Sequence, residues 1–381
     1  MKFSTYILGF SYLVLLFTNC VEEFNPPAQD FENLLIVEAF LSDSNEPFEV
    51  RLSRSIPIDT SALIPETGAA IRLSEESGES YNLLEAGNSG IYSYPGIINT
   101  QIGKSYQIHI QTRNGSQYES SKVTMRKTPE IDSVTFAYEE RPTAFLKGVQ
   151  IYVNTHDPEN DTYYYRWEWG DTWEFYTAYR SDHIYENGQI FLRQDDIYRC
   201  WKSSRSTTID LATSKNLSQD IISKYPLVYV STESDRLGSR YSINVKQYAL
   251  SEASYNYWVE LQKVTESLGT LFDPQPSTVY GNIQNVNDQS EVVLGYFDVS
   301  TVTEKRIFIT RVDMPPIRVP DYYSYCTDSI VTFNRIEAMI EGNYMLAYET
   351  QDDFGRFIYV MSSPPCIDCR IYGTNTKPDF W

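Results

Sequence analysis

From Leu34 onward, apolar residues recur at every second position in short runs, and glycine-bearing turns separate the runs. This period matches the pleat of a strand, whose side chains point alternately to opposite faces, and does not match the 3.6-residue period of a helix. Leu34–Leu41 is one strongly apolar run, and Phe48–Leu52, Ala70–Leu73 and Tyr106–Ile110 alternate. Gly78, Gly87, Gly90, Gly96, Gly103 and Gly115 punctuate them. Short strands at regular spacing predict an Ig-like β-sandwich over 34–128, about 95 residues long, the size of one such domain.

Residues 129–381 read as a second, larger β-rich domain. Ile131–Phe136, Val149–Val153, Tyr225–Val230, Arg240–Tyr248, Val292–Val299 and Lys305–Val312 carry strand signals. In 163–169, Tyr163, Tyr165, Trp167 and Trp169 share one face, the expected core face, and Tyr164, Arg166 and Glu168 share the other. One helix is predicted over 251–268. Ser251 is its N-cap, Gly269 its stop, and Tyr255, Trp258, Leu261, Val264 and Leu268 form its apolar stripe. The fold class is therefore mostly β with a single main helix. Residues 170–225 show no period and read as a long aromatic insertion of the kind that binds something. Tyr164, Trp173, Tyr176, Tyr179 and Trp201, with Phe272 of the turn-rich loop 272–282, are the expected ligand or partner contacts.

The formal charge of -20 opposes binding to nucleic acid phosphate or to an anionic lipid surface. Only 3 histidines stand among the 381 residues, at 109, 156 and 183, and no two are close in sequence. A histidine-based triad or metal site is not expected, and the nucleotide and hydrolase motifs are absent from the sequence. His156–Asp161 is rich in carboxylates but lacks the EF-hand spacing, so it reads as a solvated turn. No catalytic residue, metal or cofactor is expected, and the chain reads as a binding protein, with a hydrolase the lesser alternative. The 31 tyrosines suit both sheet margins and an interaction surface.

The N-terminus suggests where such a protein works. Tyr6–Phe17 is an apolar run of about 12 residues, too short for a spanning helix of roughly 20 and suited to a signal peptide over 1–19. Leu16-Phe17-Thr18-Asn19-Cys20 resembles a bacterial lipobox, with Asn19 where a small residue usually stands. Cys20 is then the expected lipidation site and residues 20–33 a proline-bearing tether. Ordinary cleavage nearby, leaving a thiol at Cys20, is the alternative. The pair Glu22-Glu23 resembles the surface-export signal of Bacteroidota lipoproteins. Cys200, Cys326, Cys366 and Cys369 remain, an even set in an exported chain, with three possible pairings. Cys366 and Cys369 follow Pro364-Pro365 rather than opening a helix, which disfavours a redox site. The preferred reading bonds each to a distant partner, Cys200 or Cys326, and pins the C-terminus to the body.

The ending Cys366-Ile367-Asp368-Cys369-Arg370-Ile371-Tyr372-Gly373-Thr374-Asn375, closing on Pro378-Asp379-Phe380-Trp381, resembles that of a Bacteroidota outer-membrane lipoprotein family, domain of unknown function 4249. Leu35–Ala39, Cys200-Trp201, Leu268–Asp273, Gly281-Asn282-Ile283 and Gly295-Tyr296-Phe297 are similar to it as well. The resemblance implies a lipid-anchored outer-membrane protein often encoded beside TonB-dependent receptors, and no activity. The resulting expectation is an accessory protein, facing the cell exterior, that helps such a transporter capture its ligand. A freestanding adhesin or structural lipoprotein is the alternative.

Overall fold

A computed structural model of the chain describes residues 33–55, 64–141, 146–266, 279–316, 320 and 322–381. Cys20, most of the tether and Phe272 lie outside them. The described chain is mostly β, with one substantial α-helix, Glu252–Thr265, and one short one, Ile336–Glu341.

The first sandwich grows from Leu35–Leu41. This strand turns Leu35, Val37, Ala39 and Leu41 inward and leaves Ile36, Glu38 and Phe40 outside. It pairs antiparallel with Glu49–Arg54, and an 11-stranded sheet continues from there around a core that includes Val50, Leu52, Ile71, Leu73 and Ile108. The sheet does not close within 34–128. Ile283–Asn285 pairs with Gln117–Ser120, and Val293–Val299 runs parallel to Leu35–Leu41. Ile283, Val293, Phe297 and Val299 bury in the same core. The first domain is thus discontinuous in sequence.

Two glycines make this closure possible. Gly295 has φ +108, and a Cβ there would lie 1.8 Å from the Val37 carbonyl oxygen. A Cβ on Gly281 would lie 1.6 Å from the Gly295 carbonyl oxygen. Asn282 completes the seam. Its Oδ1 accepts from the Phe297 N–H at 2.8 Å, and its Nδ2 donates to the Phe297 carbonyl at 2.8 Å. The side chain thereby imitates a neighbouring strand for a backbone that would otherwise be unpaired.

The second sandwich packs a three-stranded sheet (Ile131–Arg141, Leu146–His156, Ile221–Ser231) on a five-stranded one (Arg199–Arg205, Tyr164–Tyr176, Tyr241–Ala249, Val302–Ile309 and Asp210–Thr213). Tyr165, Trp167 and Trp169 bury between them as the alternation predicted, while Tyr163, at φ +46, is only half-buried at the strand's entry. Residues 170–225 are not an irregular insertion. They contain the second half of the central strand Tyr164–Tyr176, its neighbours Arg199–Arg205 and Asp210–Thr213, and the hairpin His183–Glu186/Gln189–Leu192. Their alternation fades because Asp171, Thr172, Trp173, Glu174 and Phe175 are all buried.

The two sandwiches meet at a buried polar elbow. The Thr128 N–H donates to Thr301 Oγ1 at 2.7 Å, and the Thr128 hydroxyl donates to the Thr301 carbonyl. The Ala249 N–H donates to Thr128 Oγ1 at 3.0 Å. Beside them, fully buried Gln247 accepts from Trp167 Nε1 and donates to the Pro129 carbonyl and to Thr155 Oγ1.

A small C-terminal sheet (Asp328–Val331, Phe357–Ser362, Met345–Gln351) packs against the 183–192 hairpin. Cys200 bonds to Cys369 and Cys326 to Cys366, the pairing that ties the CxxC cysteines to distant partners. The Trp201 and Thr374 backbones bond reciprocally at 2.8 and 3.0 Å, and Trp381 packs edge-on to Trp201 and Phe308.

Gly295→Ala should lose about 3 kcal/mol or more in urea unfolding, because it meets both an unfavourable φ and a backbone oxygen. Gly78→Ala, with φ +100 but open space around the position, should lose only about 1 kcal/mol. Equal losses would show that the seam is not tight.

Candidate binding cleft

A cleft of about 1120 Å³ lies between the outer face of the first sandwich and the second sandwich with its helix. One wall comes from two parallel strands in register, Ile36 beside Leu294, Glu38 beside Tyr296 and Phe40 beside Asp298. The opposite wall comes from two antiparallel strands, with Arg166 beside Tyr248 and Glu168 beside Lys246. The helix Glu252–Thr265 contributes Tyr257, Trp258, Leu261 and Val264. Trp258, Leu261 and Val264 belong to the apolar stripe read from the sequence. Ser254 is the one fully buried residue of the helix. The helix starts as the sequence indicates, the Ser251 side chain accepting from the Ser254 N–H at 3.1 Å. It ends at Thr265, with 267–269 outside the described residues.

The lining is braced from behind. Arg166 lies 4.0 Å from the Trp258 ring centroid and pairs with Glu168. The Tyr248 hydroxyl donates to Glu168 Oε2 at 3.0 Å, and the Tyr248 ring meets Phe40 edge-on at 4.7 Å. Lys246 Nζ reaches Glu46 Oε1 at 3.3 Å across the two sandwiches. The Tyr257 and Tyr296 rings lie 5.0 Å apart. Asp298 accepts from the Ser254 hydroxyl and the Val299 N–H, and its burial pushes its carboxyl above the usual carboxylate range despite those donors. Trp258 Nε1–H is buried without an acceptor among the described residues.

The residues singled out from sequence fall elsewhere. Trp173 and Trp201 are buried, at 7% and 3% exposure, and so offer a partner no surface. Tyr176 is exposed beside Tyr198, Tyr179 packs half-buried on the C-terminal module, and Tyr164 stacks on Tyr255 at 4.9 Å near the base of the helix. None of them lines the cleft. The missed signal was Arg166 and Glu168, which the alternation had already placed on the outer face of their strand. In the His156–Asp161 turn, the Asp157 carboxylate accepts the N–H groups of Glu159, Asp161 and Thr162 at 3.0 Å each, leaving it poorly placed to hold a cation. Among the described residues there is no cluster of metal-ligating side chains, and no helix is long and apolar enough to cross a membrane.

A family model described as a domain of unknown function (DUF4249) matches residues 21–306. The chain belongs to the DUF4249 family. Every described residue lining the cleft lies between 34 and 302, inside the matched span, whereas the C-terminal run that carried much of the resemblance lies beyond it. No curated protein matches this DUF4249 member. A solved structure titled "Biofilm associated protein - BSP domain" is similar at 8% identity and a TM-score of 0.17, over 76% of this chain and 62% of that one. The chain thus spans less than two thirds of that structure, and a likeness so low supports no statement about fold or function.

Buried tyrosines inside and outside the cleft give a pH signature. Burial, then the nearby Glu38 carboxylate, pushes the Tyr257 phenol up to about 12, and burial does the same for Tyr323. An unfolded tyrosine titrates near 10, so the folded state keeps protons that the unfolded chain releases. Stability from these groups is complete below about pH 10 and falls as pH rises toward about 12. Phenolate absorbance should show one class of tyrosines titrating near 10 and a second appearing only with loss of circular dichroism. A single class near 10 would contradict this.

Proposed function

We propose that this DUF4249 protein is a lipid-anchored outer-membrane binding protein of a Bacteroidota cell, facing the exterior and assisting a TonB-dependent transporter in ligand capture. The observation that carries the binding part is the preformed cleft, whose walls belong to two sandwiches fixed by the Thr128–Thr301 elbow. A cleft that needs no ordering step loses less free energy on binding. Three of its five acids, Glu168, Glu46 and Asp298, are engaged in an ion pair or hydrogen bond, which gives some support to binding over catalysis.

The membrane part rests on the apolar run before Cys20. With a charge of -20 the body has no electrostatic hold on an anionic surface, so attachment falls to acyl chains at about 0.8 kcal/mol per buried methylene. A protein partner is supported by apolar side chains exposed on the C-terminal module: Ile330 at 62%, Phe333 at 47%, Phe354 at 84% and Phe357 at 56%.

Mass spectrometry of the native protein should find a mature N-terminus at Cys20 carrying acyl chains. Affinity purification from detergent-solubilised outer membrane should recover a TonB-dependent receptor. An unmodified Cys20 removes the anchor from the proposal. Acylation without a receptor favours the freestanding adhesin.

A further inference from the structure

We infer that the cleft takes a neutral, polyhydroxylated chain, an oligosaccharide, and this rests on the binding reading above. Charge is the first argument. The protein carries -20 overall, yet the cleft is nearly balanced. Its acids are Glu38, Glu46, Glu49, Glu168 and Asp298. Arg51, Arg166, Arg205 and Lys246 stand against them, and Asp298 is shifted toward its neutral form. Arg166 and Lys246 are moreover paired with Glu168 and Glu46. Such a lining has little net field to hold an ionic ligand.

The same pairs do not exhaust their hydrogen-bonding capacity. A carboxylate has about four acceptor sites and an ammonium three donors. These suit a ligand with many hydroxyls, each both donor and acceptor. Phe40, Tyr257, Trp258 and Tyr296 supply half-buried aromatic surface beside them. The negative face of an aromatic ring attracts the weakly positive C–H face of a sugar ring. A purely apolar ligand would bury Glu168 and Lys246 away from water and leave this remaining capacity unmet, at a cost. The volume exceeds the roughly 300–1,000 Å³ typical of a drug-sized ligand, which favours several linked rings over one.

The test is a neutral-glycan array probed with the purified soluble body, followed by calorimetry on the glycans it retains. At least one neutral oligosaccharide should bind, with affinity changing less than about twofold between roughly 0.02 M and 0.5 M salt. Trp258→Ala should weaken it by about tenfold or more. Glu38→Gln alters an exposed strand residue without touching a core and should weaken it several-fold. Binding to no neutral glycan overturns the inference, as does capture of charged oligomers with a steep salt dependence, or of the apolar dye anilinonaphthalene sulfonate alone. Retained affinity in both variants moves the site out of the cleft and overturns it equally. Recovery of a receptor from outer membrane is read independently, so the accessory role can stand while the ligand class falls.

Discussion

The parallel pairing of Leu35–Leu41 with Val293–Val299 is the contact on which the architecture turns. Strands so far apart in sequence meet only after the intervening chain has folded or at least collapsed, and the loop-closure entropy of that encounter opposes it. The opposing gain is burial of Val293, Phe297 and Val299 in the first core, together with the Asn282 bonds that satisfy the Phe297 backbone. The seam tolerates no side chain at 281 or 295. The first sandwich is therefore incomplete without the second, and the chain folds as an interleaved body rather than as beads on a string.

That interleaving explains the cleft. The chain passes between the sandwiches near 128, near 250 and near 300, and these passages meet in the Thr128, Thr301 and Ala249 hydrogen bonds. Several buried bonds at one joint leave no cheap hinge, since opening any of them strands a donor or acceptor away from water. The outer faces of Leu35–Leu41 and Val293–Val299 are thus held at a fixed distance from the helix. Tyr257, Trp258 and Leu261, which would seek burial on a free helix, stay half-exposed because the elbow holds the facing sheet away from them.

Much of the fold was legible in sequence because the signals were local. A continuous apolar run marked Leu34–Leu41, alternation marked Tyr165–Trp169, Ser251 marked the helix start, and the cysteine count with its CxxC run indicated a pinned C-terminus. What failed was what depends on a second surface. Strand Tyr164–Tyr176 loses its alternation beyond Trp169 because both its faces become covered, so residues that pack on opposite sides look alike in composition. The helix stripe was legible, but periodicity reports only that a face is apolar, not what it meets. Gly281 and Gly295 entered only through the family resemblance, and their requirement for bare backbone is visible only once Val37 and the facing backbone are beside them. The contact residues were sought among exposed-looking aromatics, yet Trp173 and Trp201 are the most useful rings for a core and were consumed there.

The division of the chain by the family match adds a further step. Residues 21–306 include both sandwiches' seams, the elbow and every residue of the cleft, and the match stops inside Val302–Ile309. Among the described residues, the C-terminal module beyond it contributes nothing to the cleft lining. It reaches back through Cys200–Cys369, the Trp201–Thr374 pairing and the packing of Trp381 on Phe308, all on the end of the five-stranded sheet that carries Arg199–Arg205. The disulfide, the backbone pairing and the ring contact together fasten the module to that end of the sheet. The cleft and a C-terminal module with its own exposed apolar surface are thus separate parts of the molecule, so the ligand and the protein partner proposed above would not compete for one site.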